Sequence, residues 1–213
     1  MFSASLKSVQ TGSVAPLGPE GVPSGFVKHK RDGTIAVKTL GLDGDAQADL
    51  TVHGGPEKAV YGYADSHYAS WSAEFPALDF NAGAMGENLT VIGMDERDIC
   101  VGDVHAIGSA LLQVCQPRQP CFKLSLRHDE NVLPKAMVRS GRSGWYYRVL
   151  QEGALRAGDA VKLHHRPHGD FLFTRLVEII YHGEATRAEL AQMSDMRALA
   201  SNWRRKAALL LKA

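Results

Sequence analysis

The chain has 213 residues, enough for one large domain or one domain with a small appendage. Hydrophobic residues make up 45% and charged residues 22%, the balance of a globular protein rather than a disordered or fibrous one. The formal net charge of +1 excludes a global drive toward nucleic acid or an anionic membrane, so any anion site must be local. Three cysteines, at 100, 115 and 121, are too few and too scattered for a disulfide framework or a paired-cysteine zinc site. No apolar run approaches the roughly 20 residues of a membrane helix. No secretory leader is visible, so the expected compartment is a reducing cytoplasm.

The first half reads as short strands divided by turns. Ala4 to Thr11 is β-like. Phe26 to Lys30 and Thr34 to Leu40 flank Arg31-Asp32-Gly33, which has hairpin-turn chemistry. A Gly/Asp loop, Gly41-Leu42-Asp43-Gly44-Asp45, leads to Asp49 and His53-Gly54-Gly55. Pro56 opens a segment in which Ala59 to Phe75 carries Val60, Tyr63, His67 and Trp71 at mixed helical spacing, predicting a helix. Gly86 to Val91 is a loop entering a strand. Val101 to Ile107 and Ala110 to Cys115 form a hairpin across Gly108-Ser109. Cys121 to Arg127 is helix-like, Val132 to Arg139 is a second short helix, and Gly144 to Leu150 is a strand. Ala157 to Leu163 repeats the turn-plus-strand look of Val101-Gly102-Asp103. Many short strands predict a barrel or sandwich.

A boundary falls near Arg166-Pro167-His168-Gly169, and the rest reads helical. Phe173, Leu176, Val177, Ile180 and Tyr181 share one helix face. Thr186 with Glu189 three residues on predicts a capping box. Leu199, Trp203, Ala207 and Leu210 define a third helix. Three short helices make a small bundle that needs the barrel for stability.

The chemistry centres on Gln116-Pro117-Arg118-Gln119-Pro120-Cys121-Phe122-Lys123. Two prolines stiffen the approach to Cys121. The helix N-terminus, Arg118 and Lys123 all favour a thiolate there, which suits a nucleophile or a soft-metal ligand. The plainer alternative is a half-buried structural cysteine. The glycines of His53-Gly54-Gly55 let backbone approach a ligand, and Lys58 follows at once; together they suit a phosphate, or else form an ordinary turn. Asn88 offers donors and acceptors to a heterocycle edge, or caps its own turn. Arg139, Arg142 and Arg148 surround Gly144-Trp145-Tyr146-Tyr147 and suit bidentate phosphate binding. The dinucleotide, P-loop and serine-hydrolase signatures are absent. Arg204-Arg205-Lys206 on the last helix invites a DNA-binding reading, but the cations are few and a solvated face accounts for them.

Taken in order, Gly41-Leu42-Asp43-Gly44-Asp45, Asp49, His53-Gly54-Gly55, Lys58-Ala59-Val60-Tyr61, Gly86-Glu87-Asn88-Leu89, Gln116 to Cys121 and Gly144 to Leu150 resemble the MOSC domain family, in its YiiM-type branch. The resemblance covers nearly the whole chain. It implies a mainly β fold with α: a mixed β-barrel binding the molybdenum cofactor over residues 1–166, plus a small C-terminal three-helix bundle over 167–213. It makes Cys121 the catalytic residue and the thiolate ligand to molybdenum. It makes His53, Lys58, Asn88, Arg118 and Arg148 candidates for holding the pterin and its phosphate. Cys100 and Cys115 match no ligand position and are assigned to packing.

The resemblance also implies a reaction, the reduction of small N-hydroxylated substrates such as 6-hydroxyaminopurine to amines. His53 or an aspartate of the Gly-rich loop is the candidate proton source. The chain has no flavin, haem or iron–sulfur motif, so a separate electron-donating reductase is expected. Docking of that partner, or of a second subunit as a homodimer, falls to the C-terminal helices. Neither membrane nor nucleic acid is an expected partner. Because other MOSC proteins work in sulfur delivery, the alternative is a sulfur carrier bearing a Cys121 persulfide, working with a pyridoxal-phosphate-dependent partner.

Overall fold

The structure, a computed structural model, describes residues 3–49 and 53–212. β1 (Ala4–Thr11) is followed by a small hairpin, β2 (Ala15–Leu17) and β3 (Val22–Ser24). Then come β4 (His29–Lys30), β5 (Ile35–Lys38) and β6 (Gly41–Leu42), a 3-10 turn at Pro56–Lys58, β7 (Val60–Ala64) and α1 (Ser66–Glu74). β8 (Leu89–Ile92), β9 (Val104–Ile107) and β10 (Ala110–Pro117) lead into α2 (Phe122–His128) and α3 (Leu133–Ser140). β11 (Trp145–Gln151), β12 (Gly153–Leu155) and β13 (Ala160–His165) complete the β part, and α4 (Phe173–His182), α5 (Arg187–Asp195) and α6 (Ser201–Leu210) end the chain.

The main sheet runs β13-β9-β10-β11-β7-β8-β1, with β4 on β1, and β13 pairs back onto β1 to close a barrel. The β7–β8 pair is parallel and the other pairings are antiparallel, so the barrel is mixed. Closure removes the exposed edge that an open sheet would carry. The hairpin across Gly108-Ser109 forms as expected, with Ala110 opposite Ile107.

Two expectations fail. Val60 to Ala64 is a strand, not the start of a helix; the helix begins at Ser66. All five strand residues are buried. A strand covered on both faces shows no polar alternation, and a short buried run does not distinguish strand from helix by spacing. The hairpin across Arg31-Asp32-Gly33 does not form either. His29–Lys30 pairs with β1, whereas Ile35–Lys38 pairs with β12 and β6. The turn residues are present, but more distant strands win the pairing.

One continuous core joins barrel residues such as Leu6, Ile107, Leu112 and Val114 to Phe173, Leu176, Met193, Leu199 and Trp203 of the C-terminal helices. The Thr186 side chain accepts from the Glu189 amide and Glu189 reaches back to Thr186, a complete capping box. Leu199, Trp203 and Ala207 are buried as expected, but Leu210 is exposed at the end of the helix. A second core, containing Tyr63, Trp71, Met85, Leu124 and Met137, lies beneath α1, α2 and α3. Among the described residues, no helix is long and apolar enough to cross a membrane.

Candidate active site

A cleft opens where the loops beside the barrel meet the start of α2. Its lining includes Phe26, Lys28, Asp45, His53, Lys58, Tyr61, Asn88, Arg118, Cys121, Lys123 and Tyr146. His53, Lys58, Arg118, Cys121 and Tyr146 also line a wider opening bounded by Pro56, Pro117, Pro120 and Asn202.

Cys121 is the N-cap of α2, in extended conformation at φ −119° and ψ 169°. β10 ends at Pro117, and Pro120 stands immediately before the cysteine. The thiol therefore sits where unpaired helix amides give a positive field. Cys121 is partly exposed, whereas Cys100 and Cys115 are buried. Lys123, in the first turn of α2, donates to the carbonyl of Pro23 at 3.1 Å, which holds its ammonium on the cleft.

The facing rim is the segment from His53 to Lys58. The His53 amide donates to the carbonyl of Asp49 at 2.9 Å. Gly55, at φ 79° and ψ 171°, precedes the 3-10 turn in a conformation open essentially to glycine alone. Pro56 at the first helical position then sends Lys58 back over the cleft.

The inner wall is a buried polar network. Lys28 pairs with Asp45 at 2.5 Å, with side chains only 6% and 1% exposed. Asp45 also accepts from the Gly12 amide at 2.9 Å and from Asn88 Nδ2 at 3.0 Å. Asn88 Oδ1 accepts from the Tyr61 amide at 3.0 Å. Glu87, fully buried, accepts from the amides of Gly83 and Met85, the Thr90 hydroxyl and the Tyr68 hydroxyl. Arg118 is buried, donates to the carbonyl of Met85 and stacks 4.9 Å from the Phe26 ring and 5.0 Å from the Tyr61 ring. Such cation–π contacts let a guanidinium stay charged away from water.

The field in the cleft is positive. Burial pushes the Lys28 ammonium down, and Asp45 resists that shift. Burial, then the charges of Lys123, Lys58 and Arg118, pushes the His53 imidazole down, keeping it neutral at physiological pH. Burial also lowers Lys58, opposed by Cys115, Cys121 and Glu57. Burial drives Tyr61 and Tyr146 upward, keeping both phenols protonated.

The structure brings His53, Lys58, Asn88, Arg118 and Cys121 together. Arg148 lies outside that lining. Its guanidinium binds Glu57 at 2.9 Å, Gln113 at 3.2 Å and the carbonyl of Arg197 at 3.1 Å. In β11, Arg148 is two positions from Tyr146 and so belongs to the same pleat face, but it lies further along the strand. Sequence reasoning missed Lys28, Tyr61 and Tyr146 as cleft residues. Lys28 had no local motif; only Asp45, in the Gly/Asp loop, gave a signal that a cation would be needed nearby.

Residues 49–162 match the MOSC domain, and the chain belongs to the MOSC domain family. It is similar to Protein YiiM of Escherichia coli (strain K12), 36% identical over 199 residues, spanning 92% of this chain and 88% of that protein. It is also similar to a protein named Reductase from Gibberella moniliformis, 38% identical over 168 residues, or 76% of this chain and 30% of that one. The crystal structure of YiiM from Geobacillus stearothermophilus superimposes with a TM-score of 0.83 at 33% identity, covering 98% of this chain and 99% of that one.

Proposed function

We propose that the cleft holds the molybdenum cofactor, with Cys121 as the protein's ligand to the metal, and that the protein reduces N-hydroxylated small molecules to amines. MOSC domains are associated with this cofactor in general, and a relative carries the name Reductase. The observation that carries the reading is the convergence of Cys121 with Lys28, His53, Lys58, Arg118 and Lys123 on one cleft. The residues fit the group. A single thiolate suits a soft metal that arrives with its own organic ligands. The lining acid Asp45 is already neutralised by Lys28, so the remaining cations suit an anionic pterin phosphate. Asn88 is committed to the Tyr61 amide and Asp45, so its part is to shape the wall.

When bound, the cofactor supplies the two-electron redox chemistry, and the protein supplies ligation, orientation and electrostatics. The overall change takes R–NHOH, two electrons and two protons to R–NH2 and water. Cys121 anchors the metal. Lys58, Arg118 and Lys123 hold negative charge in place, while Lys28 stays paired with Asp45 in the wall behind them. Tyr146, partly exposed and backed by the buried Tyr61 ring 5.0 Å away between centroids, offers aromatic surface to a planar substrate or pterin. Neutral His53 on the rim is the group placed to move protons, since the carboxylate of Asp45 is occupied by its donors. Electrons come from a separate reductase. The division into a barrel of residues 1–166 and helices of 167–213, docking of that reductase or a second subunit on the helices, and a cytoplasmic setting all belong to the same proposal.

The test is reduction of 6-hydroxyaminopurine by cofactor-loaded protein with a chemical electron donor. Wild type should form the amine and Cys121→Ser should not. Equal turnover in both would reject the assignment. A persulfide on Cys121 without turnover would favour the sulfur-carrier reading.

A further inference from the structure

Glu57 stands between the cleft and the C-terminal helices and is bound to both. α6 begins after Ala200, whose methyl group cannot cap a helix. Its first amide, Ser201 N, donates instead to the two carboxylate oxygens of Glu57 at 3.0 and 2.9 Å. The Ser201 hydroxyl donates to the same carboxylate at 2.9 Å, and Arg148 Nη2 does so at 2.9 Å. A helix N-terminus and a guanidinium both favour a carboxylate, so this contact joins α6, β11 and the 3-10 turn.

The main chain of Glu57 is held as well. Its carbonyl accepts from Gln116 Nε2 at 2.8 Å and from the Cys115 thiol at 3.1 Å. Gln116 Oε1 accepts from Trp203 Nε1 of α6 at 3.2 Å, and the Tyr181 hydroxyl of α4 donates to the Arg118 carbonyl. The helices thus grip both approaches to the site: the turn that presents Lys58 and the segment that leads to Cys121.

We propose that Glu57 is a positioning residue that makes the N-terminus of α6 part of the cleft, fixing the turn that carries Lys58. The group that Lys58 serves rests on the cofactor reading above; the clamp itself does not. Arg148 then acts at one remove, by orienting Glu57 rather than by touching a ligand. The linkage is reciprocal: a group held by Lys58 stabilises the seating of α6, and loosening α6 weakens the hold on that group.

The test compares Glu57→Ala and Glu57→Gln in the full chain by two readouts. The first is amide hydrogen exchange at Ser201 and at residues 56–58 in cofactor-free protein. The second is molybdenum per chain after expression in a cofactor-producing host. Loss of a cap should speed exchange at Ser201 about tenfold in Glu57→Ala, with faster exchange at the turn and less molybdenum. Glu57→Gln, whose side-chain carbonyl still accepts from Ser201, should retain most of both. Unchanged exchange in Glu57→Ala would overturn the proposal. So would a rise spread evenly over the barrel, or a Glu57→Gln variant as impaired as Glu57→Ala although its side-chain carbonyl can still accept from Ser201. If wild type itself binds no molybdenum, the cofactor reading fails while the exchange pair still decides the clamp.

Discussion

The inner wall of the cleft and its outer rim are held by different forces. Inside, Lys28, Asp45, Asn88 and Glu87 form a water-poor network in which nearly every donor has an acceptor. At the rim, His53, Lys58 and Cys121 sit on short, half-exposed segments steadied by Glu57, Tyr181 and Trp203 from elsewhere in the fold. A buried pair is costly to break because the surviving charge has no water to turn to. A rim contact is cheaper to lose, but it moves the residues proposed to meet the ligand. Stability and binding should therefore respond to different substitutions.

The largest effect should come from the inner wall. Asp45→Ala leaves the buried Lys28 ammonium without its counter-charge and the Gly12 amide without its acceptor, and takes one of the two acceptors of Asn88 Nδ2; a loss of about 3–5 kcal/mol is expected in chemical denaturation. A loss under about 1 kcal/mol would mean that water enters this wall freely and the contrast is false.

Acid should act on the barrel next. His105 is buried against the Tyr147 hydroxyl at 2.8 Å, and burial pushes its pKa down to about 4. An unfolded histidine protonates near 6.5, so unfolding takes up a proton between those values. Stability present above about pH 6.5 is then lost as pH falls toward about 4, by about 3 kcal/mol. Denaturation midpoints across that window should show this slope, and His105→Asn should flatten it. His53 is shifted in the same direction but is only half-buried, so its share should be smaller.

The rim is probed by Gly55→Ala. A Cβ there meets nothing within 4 Å, so the cost is backbone strain alone, about 1–3 kcal/mol. Anion or cofactor affinity should fall more than the thermal midpoint suggests, because relaxing the strain moves Lys58. The smallest stability effect should be that of Cys121→Ser, within about 0.5 kcal/mol, since the side chain is partly exposed and caps nothing.

Much of this was legible in the residues. Two prolines ahead of Cys121 and a helix-like run from it placed the thiol near a helix N-terminus, and paired glycines before Pro56 marked the turn that lifts Lys58. The Thr186 and Glu189 spacing gave the capping box. What stayed hidden depended on distant pairing. Val60 to Ala64 looks helical until it is known to be covered on both faces, and Arg31-Asp32-Gly33 looks like a hairpin until β12 claims its second strand. Lys28 is a cleft residue only because its partner lies in another loop. Arg148 carries a phosphate-binding chemistry that Glu57 uses instead.

The central claim is that Cys121 anchors a metal-bearing anionic cofactor in this cleft. Its most direct test is molybdenum content by elemental mass spectrometry, for wild type and Cys121→Ser expressed in a host that makes the cofactor. Near-stoichiometric molybdenum in wild type, lost in the folded variant, is the predicted result. Equal molybdenum in both would show that Cys121 is not the anchor, and none in either, with cofactor present throughout purification, would contradict the assignment of the cleft.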